Sequence, residues 1–167
     1  MRAQPPCSRW IAVTVALAFH SSPGAVAHAG DETGPTYRRH RGQIVFQGEE
    51  FPAVDDEKSL AELVKKAKRN KALEKDKDGN WRFNFIAFLS SAPGANKVNL
   101  VWFSLGKKTE QIDYTEFSVP PSEVILRAKS VLIGAQGFAS GGKYEARITR
   151  VIGGKEKVYA RCRLSLQ

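Results

Sequence analysis

Three hydrophobic patterns follow one another along the chain: a solid apolar run, a stripe of helical period, and a long series of period-two alternations. The solid run is uncharged from Trp10 to Phe19, follows Arg2 and Arg9, and gives way to Ser22-Pro23-Gly24 and the small-x-small sequence Ala25 to Ala29. A basic start, an apolar middle and small residues at the end predict a cleavable export signal over residues 1–29, cut after Ala29. The run is about half the ~20 residues a spanning helix needs, so no transmembrane anchor is expected in the mature chain. Cys7 precedes the run, out of place for a lipid-modified cysteine.

The helical stripe comes next. Leu60, Leu63, Val64 and Ala67 recur at i, i+3, i+4 and i+7 behind Asp55 and Asp56, which stand where an N-cap belongs. The spacing predicts an amphipathic helix from Glu57 to Ala72, with Lys65, Lys66, Lys68, Arg69 and Lys71 on its other faces. Before it, Gly30 to Gly42 is polar and aperiodic, so residues 30–54 read as a flexible segment, with Ile44-Val45-Phe46 as an isolated or edge strand. Residues 55–167 then form one domain.

From Trp81 onward the period is two. Six strands are predicted over residues 81–89, 97–105, 110–119, 124–133, 143–152 and 157–166, joined by short Gly-, Pro-, Asn- or Ser-containing turns. The first is apolar on both faces and calls for a second cover, which the helix stripe can supply. In the last strand Val158, Ala160, Cys162, Leu164 and Leu166 form the inner phase, with Lys157, Tyr159, Arg161 and Arg163 outside; in the strand before it Tyr144, Ala146 and Ile148 point in, and Glu145, Arg147 and Thr149 point out. A plain two-residue Gly153-Gly154 turn would set Ala146 against Arg161, core against solvent. A three-residue loop with a bulge is therefore expected, aligning Ala146 with Ala160 or Cys162.

The run Gly142 to Ile148, the Gly-Gly hairpin and the final alternating strand resemble the last two strands of bacterial immunoglobulin-like or fibronectin-like domains, and of exported bacterial proteins with this ending. Trp102 is similarly placed to the core tryptophan of that fold, although its cysteine pair is absent. The resemblance covers Trp81 to Gln167 and implies a mainly β, antiparallel immunoglobulin-like sandwich of six to seven strands preceded by one helix. It implies no activity.

Candidate chemistry is sparse. His20, His28 and His40 all precede residue 55, so the domain has no imidazole for nucleophilic catalysis or a histidine-rich metal site. Asp76-x-Asp78-x-Asn80 begins like a calcium loop, but Trp81 stands where Gly is needed and Ala87 where a bidentate Glu is needed, leaving a polar turn. Gly137 to Lys143 fits G-x-x-x-x-G-K, yet Tyr144 follows and a strand follows that, so it reads as a loop. Asp113, Glu116 and Glu123 read as surface charge and Cys162 as buried and inert. No cofactor and no metal is expected. The formal net charge is +9, of which Arg2 and Arg9 leave with the signal, and such an excess favours anionic partners. The candidate binding residues are Arg147, Lys157, Tyr159, Arg161 and Arg163 on the outer hairpin face and Lys65, Lys68 and Arg69 on the helix. The partners these suggest are an anionic glycan, a lipid headgroup or a protein; without a base-reading motif, nucleic acid is disfavoured. The expectation is an exported, periplasmic or extracellular, non-enzymatic binding or structural module. Its alternatives are a carboxylate-dependent enzyme and an assembly subunit that offers a strand edge.

Overall fold

The computed structural model describes residues 34–67 and 72–167. Its elements are α1 (Pro35–His40), β1 (Gln43–Gln47), α2 (Glu57–Ala67), β2 (Ala72–Leu73), β3 (Asn80–Phe88), β4 (Lys97–Leu105), β5 (Thr109–Ser118), β6 (Ile125–Ile133), one 3-10 turn (Gly134–Gln136), β7 (Lys143–Ile152) and β8 (Lys155–Leu166). The expected signal, with His20 and His28, lies outside the described residues. The protein is mainly β, and the six long strands fall within two residues of where alternation sets them.

All eight strands join one sheet in the order β5-β4-β7-β8-β1-β3-β6, with β2 also on β8. It is a mixed sheet, curled into a half-barrel: β1 and β2 run parallel to β8, and the other pairs are antiparallel. An immunoglobulin-like sandwich is not what this strand order gives, since no second sheet faces the first among the described residues. The concave side holds the main core, with Phe46, Trp81, Phe83, Phe85, Trp102 and Tyr144 among its buried side chains. Their rings meet edge-on or tilted, as in the Phe83 to Trp102 pair at 5.7 Å, a geometry that favours aromatic pairs beyond the area they bury.

The segment read as flexible carries a helix and a central strand. β1 is inserted between β8 and β3, its five residues paired with Phe88 back to Asn84. Ile44 and Phe46 face the main core and Val45 the opposite side, so all three are buried. Polarity around them concealed this: the Tyr37 hydroxyl donates to the Leu89 carbonyl at 2.7 Å, and the Gly42 N–H donates to Phe88 at 2.7 Å. These bonds satisfy a polar approach to a buried strand.

On the convex side α2 lays Leu60, Leu63, Val64 and Ala67 against Val45, Ile86 and Phe88, the cover expected for the second face of β3. Asp56 caps it: Oδ1 accepts the Ser59 N–H at 2.9 Å and Oδ2 the Ser59 hydroxyl at 2.7 Å, which holds the Asp56 carboxyl below its ordinary pKa. Ala72, expected as the last helical residue, instead pairs with Ser165 in β2.

The β7–β8 hairpin meets the register expectation by another route. Its loop has two residues, with Ile152 opposite Lys155 and Gly153 and Gly154 at φ +56° and +75°, values that suit the right-handed strand twist. The phase is corrected further along, where Ile148 pairs with Ala160 and Thr149 with Val158. Tyr159 is the extra residue. Beyond this bulge Ala146 faces Cys162, as core packing demands.

Candidate functional site

Strand β8 fixes the geometry of the arginines. The Arg161 N–H donates to the Gly42 carbonyl at 3.0 Å, so it points toward β1 and away from β7. The pair Arg147–Arg161, and the pair Glu145–Arg163 two residues along, are therefore non-hydrogen-bonded antiparallel pairs, in which facing side chains approach most closely. Both pairs project from the convex face.

Glu145 is only 3 % exposed. One of its oxygens accepts Arg147 Nε at 2.6 Å and the other accepts Arg163 Nε at 2.9 Å. Burial alone would raise this carboxyl's pKa, but the hydrogen bonds from Arg163 and Arg147 outweigh it and hold the group below its ordinary value. Arg147 also lies over the Phe103 ring, its guanidinium carbon 4.1 Å from the centroid, a contact that fixes the guanidinium plane. Glu145 uses only the Nε edge of each guanidinium. Among the described residues no acceptor bonds the Nη groups of Arg147 or Arg163, and Arg161 has no ion pair.

Two like charges directly opposite on paired strands are unfavourable, and Arg147 faces Arg161 in that arrangement. One buried carboxylate stands among three guanidiniums and bonds two of them, and exposed Lys143 stands opposite Ser165 on the same face. The face is cationic, with Arg147 and Arg163 oriented by Glu145 and open at their Nη ends, and Arg161 exposed beside them. It can hold an oxyanion bridged between Arg147 and Arg161.

The other expected ligand residues are placed differently. Tyr159 is not on this face: as the bulge residue it turns inward, is 1 % exposed, and donates its hydroxyl to the Pro93 carbonyl at 3.2 Å. Val158, expected inside, is 39 % exposed. Lys157 is exposed with its Nζ 4.8 Å over the Tyr159 ring and 3.2 Å from Ser91 Oγ, away from the arginine cluster. Lys65 is exposed in the last turn of α2; Lys68 and Arg69 lie outside the described residues. Alternation could not reveal the roles of Glu145 and Phe103. The signal for Glu145 was the pattern Glu-x-Arg facing Arg-x-Arg, readable only once the bulge is placed, and Phe103 comes beside it through the β4–β7 pairing.

The remaining motifs resolve into turns and packing. Asp76 accepts the N–H groups of Asp78 and Asn80, each at 2.9 Å, and Arg82 Nε at 2.8 Å, so the calcium-like run is a turn closed by Arg82. In the glycine-rich loop Phe138 is buried in the core, and a Cβ on Gly142 would sit 2.5 Å from the Tyr144 hydroxyl. That glycine admits a ring and not a phosphate. Cys162 is half-buried against the core. Among the described residues no three His, Cys, Asp or Glu side chains gather as metal ligands, and no helix is long and apolar enough to cross a membrane. Glu116 pairs with Lys97 at 2.7 Å, and Glu123 Oε1 accepts the Ile125 N–H at 3.3 Å.

A second feature lies at the open side of the half-barrel. The outermost strands, β5 and β6, each have one unpaired edge, and a cleft of about 710 Å³ runs along β6 opposite Asp113, Tyr114 and Thr115 of β5. Exposed Val131 and Ile133 line it. Its carboxylates, Glu50 and Asp113, come from opposite sides of β6. Comparisons of the chain with family models, curated proteins and solved structures returned no match.

Proposed function

We propose that the chain is an exported, non-enzymatic binding module that engages an anionic polymer through the convex face of β7 and β8. Export rests on the signal pattern of residues 1–29. The anion reading rests on one observation: the buried Glu145 carboxylate orients Arg147 and Arg163 through Nε alone, while Arg161 stands opposite Arg147 without a carboxylate of its own. A guanidinium held at one edge and open at the other is arranged for charge-assisted bonds to an incoming oxyanion.

The test is retention of the chain on a heparin-type polyanion as salt is raised through about 0.15 M. Charge reversal at Arg161 is expected to weaken binding about tenfold, some 1.4 kcal/mol, while reversal at Lys65 leaves it unchanged. Equal loss from both, or from neither, would dismiss a dedicated arginine site in favour of diffuse attraction.

A second reading is favoured by the cleft beside β6. An extended segment of a partner protein could add to that edge, its backbone pairing with β6 and its apolar side chains meeting Val131 and Ile133. Proline substitution at alternate β6 positions would separate it from the first reading, since a strand partner would be lost while heparin binding persisted.

A further inference from the structure

The arginine pair belongs to a longer row. Tyr114 is in register with Val101, Val101 with Arg147, Arg147 with Arg161, and Arg161 with Gln43. Residues directly opposite on paired strands share a face, so this row crosses β5, β4, β7, β8 and β1 on the convex side. Val101 is 5 % exposed and forms its floor; Tyr114 is 63 % exposed and stands at its end. With strands about 4.8 Å apart, Tyr114 stands about 10 Å from Arg147, two strand spacings away, and about 14 Å from Arg161, three away.

The two ends of this row differ in charge. The β7–β8 end carries three arginines and one carboxylate. The β4–β5 end presents Asn99, Val101, Gln111 and Tyr114, and its charged pair Lys97–Glu116 is closed on itself. A polymer with an anion on every short repeat would leave the uncharged end unmatched. The complementary ligand alternates an anionic group with an uncharged unit that can stack on a ring and bond side-chain amides.

We infer, building on the anion reading above, that the ligand is an acidic polysaccharide, with a sugar ring stacked on Tyr114 and the acidic substituent of a neighbouring unit bridged between Arg147 and Arg161. A sugar ring offers an apolar C–H face to the tyrosine and hydroxyls to Asn99 and Gln111. The span from Tyr114 to Arg147 matches a pair of linked sugar units, with Arg161 one strand beyond to take the other side of the acidic substituent.

The experiment is calorimetric titration of the chain with a tetrasaccharide that alternates a uronic acid with an uncharged N-acetylated amino sugar and, separately, with inorganic polyphosphate, for the unaltered protein and for Tyr114→Ala and Arg161→Gln. Tyr114 is so exposed that its removal should leave the urea midpoint unchanged, which serves as the folding control. Expected is a roughly tenfold loss of tetrasaccharide affinity in Tyr114→Ala with polyphosphate binding unaffected, and loss of both ligands in Arg161→Gln. Undiminished tetrasaccharide binding by Tyr114→Ala, or tighter binding of polyphosphate than of tetrasaccharide, would overturn the polysaccharide assignment while leaving the anion site standing. Undiminished binding of both ligands by Arg161→Gln would remove the anion site itself, and the polysaccharide with it.

Discussion

A carboxylate held almost out of water between two guanidiniums has its ionisation tied to folding. The Glu145 pKa is lowered in the folded chain, below the ordinary value of about 4.3 expected when unfolded. Its contribution to stability is therefore fully present above about pH 5 and is lost as pH falls through the folded value. Asp56 and Asp76 shift in the same direction, Asp56 through the Ser59 hydroxyl and Asp76 through the Asn80 N–H. Glu145→Gln is expected to cost about 1–3 kcal/mol at neutral pH and to reduce the acid-induced fall in stability; urea titrations at pH 7 and pH 4 check both. An unchanged pH dependence would mean that Glu145 does not carry this linkage. Tyr159 separates core from surface at the same scale. As a buried ring its replacement by Ala should cost about 3–5 kcal/mol, whereas a surface ligand residue would alter polyanion binding and leave the urea midpoint alone. The outward placement of Arg147, Arg161 and Arg163 was legible in the sequence because an exposed alternation reports its own face. Tyr159 was not, because a bulge reverses the phase without leaving any mark in the pattern.

Elements were legible in proportion to how local their causes are. The α2 stripe and its Asp56 cap lie within a few residues of one another, and both stand where the spacing put them. Asp56→Ala should destabilise the protein by about 0.5–2 kcal/mol, read as a drop in the urea midpoint with no change in slope. The six long strands likewise follow from alternation between turn residues. The hairpin shows where local reasoning stops: the demand that Ala146 face an inward residue, Ala160 or Cys162, was sound and Cys162 is the one it meets, but whether a longer loop or a bulge supplies the extra residue depends on what can be buried. Here Tyr159 finds the Pro93 carbonyl and a place in the core. β1 was hardest to read, since five residues with polar flanks carry little periodicity and their burial comes from β8 and β3, far away in sequence.

Strand order in the whole molecule is a matter of long-range pairing, and neither composition nor period encodes it. The insertion of β1 between β8 and β3 has a direct consequence. Removing residues 34–47 should divide the sheet into β5-β4-β7-β8 and β3-β6 and abolish cooperative unfolding in urea, whereas a dispensable flexible leader could be removed with the transition intact. The same strand sets the arginine face, because Gly42 accepts the Arg161 N–H and thereby turns Arg147 and Arg161 toward each other at close range. On the proposed function, this face and not the lysines of α2 receives the anion. This is tested most directly by following the arginine side-chain Nε–H signals by NMR while a heparin-type oligosaccharide is added. The signals of Arg147 and Arg161 are expected to shift together and saturate while α2 stays unperturbed; shifts confined to α2, or spread evenly over all exposed cations, would place the anion elsewhere.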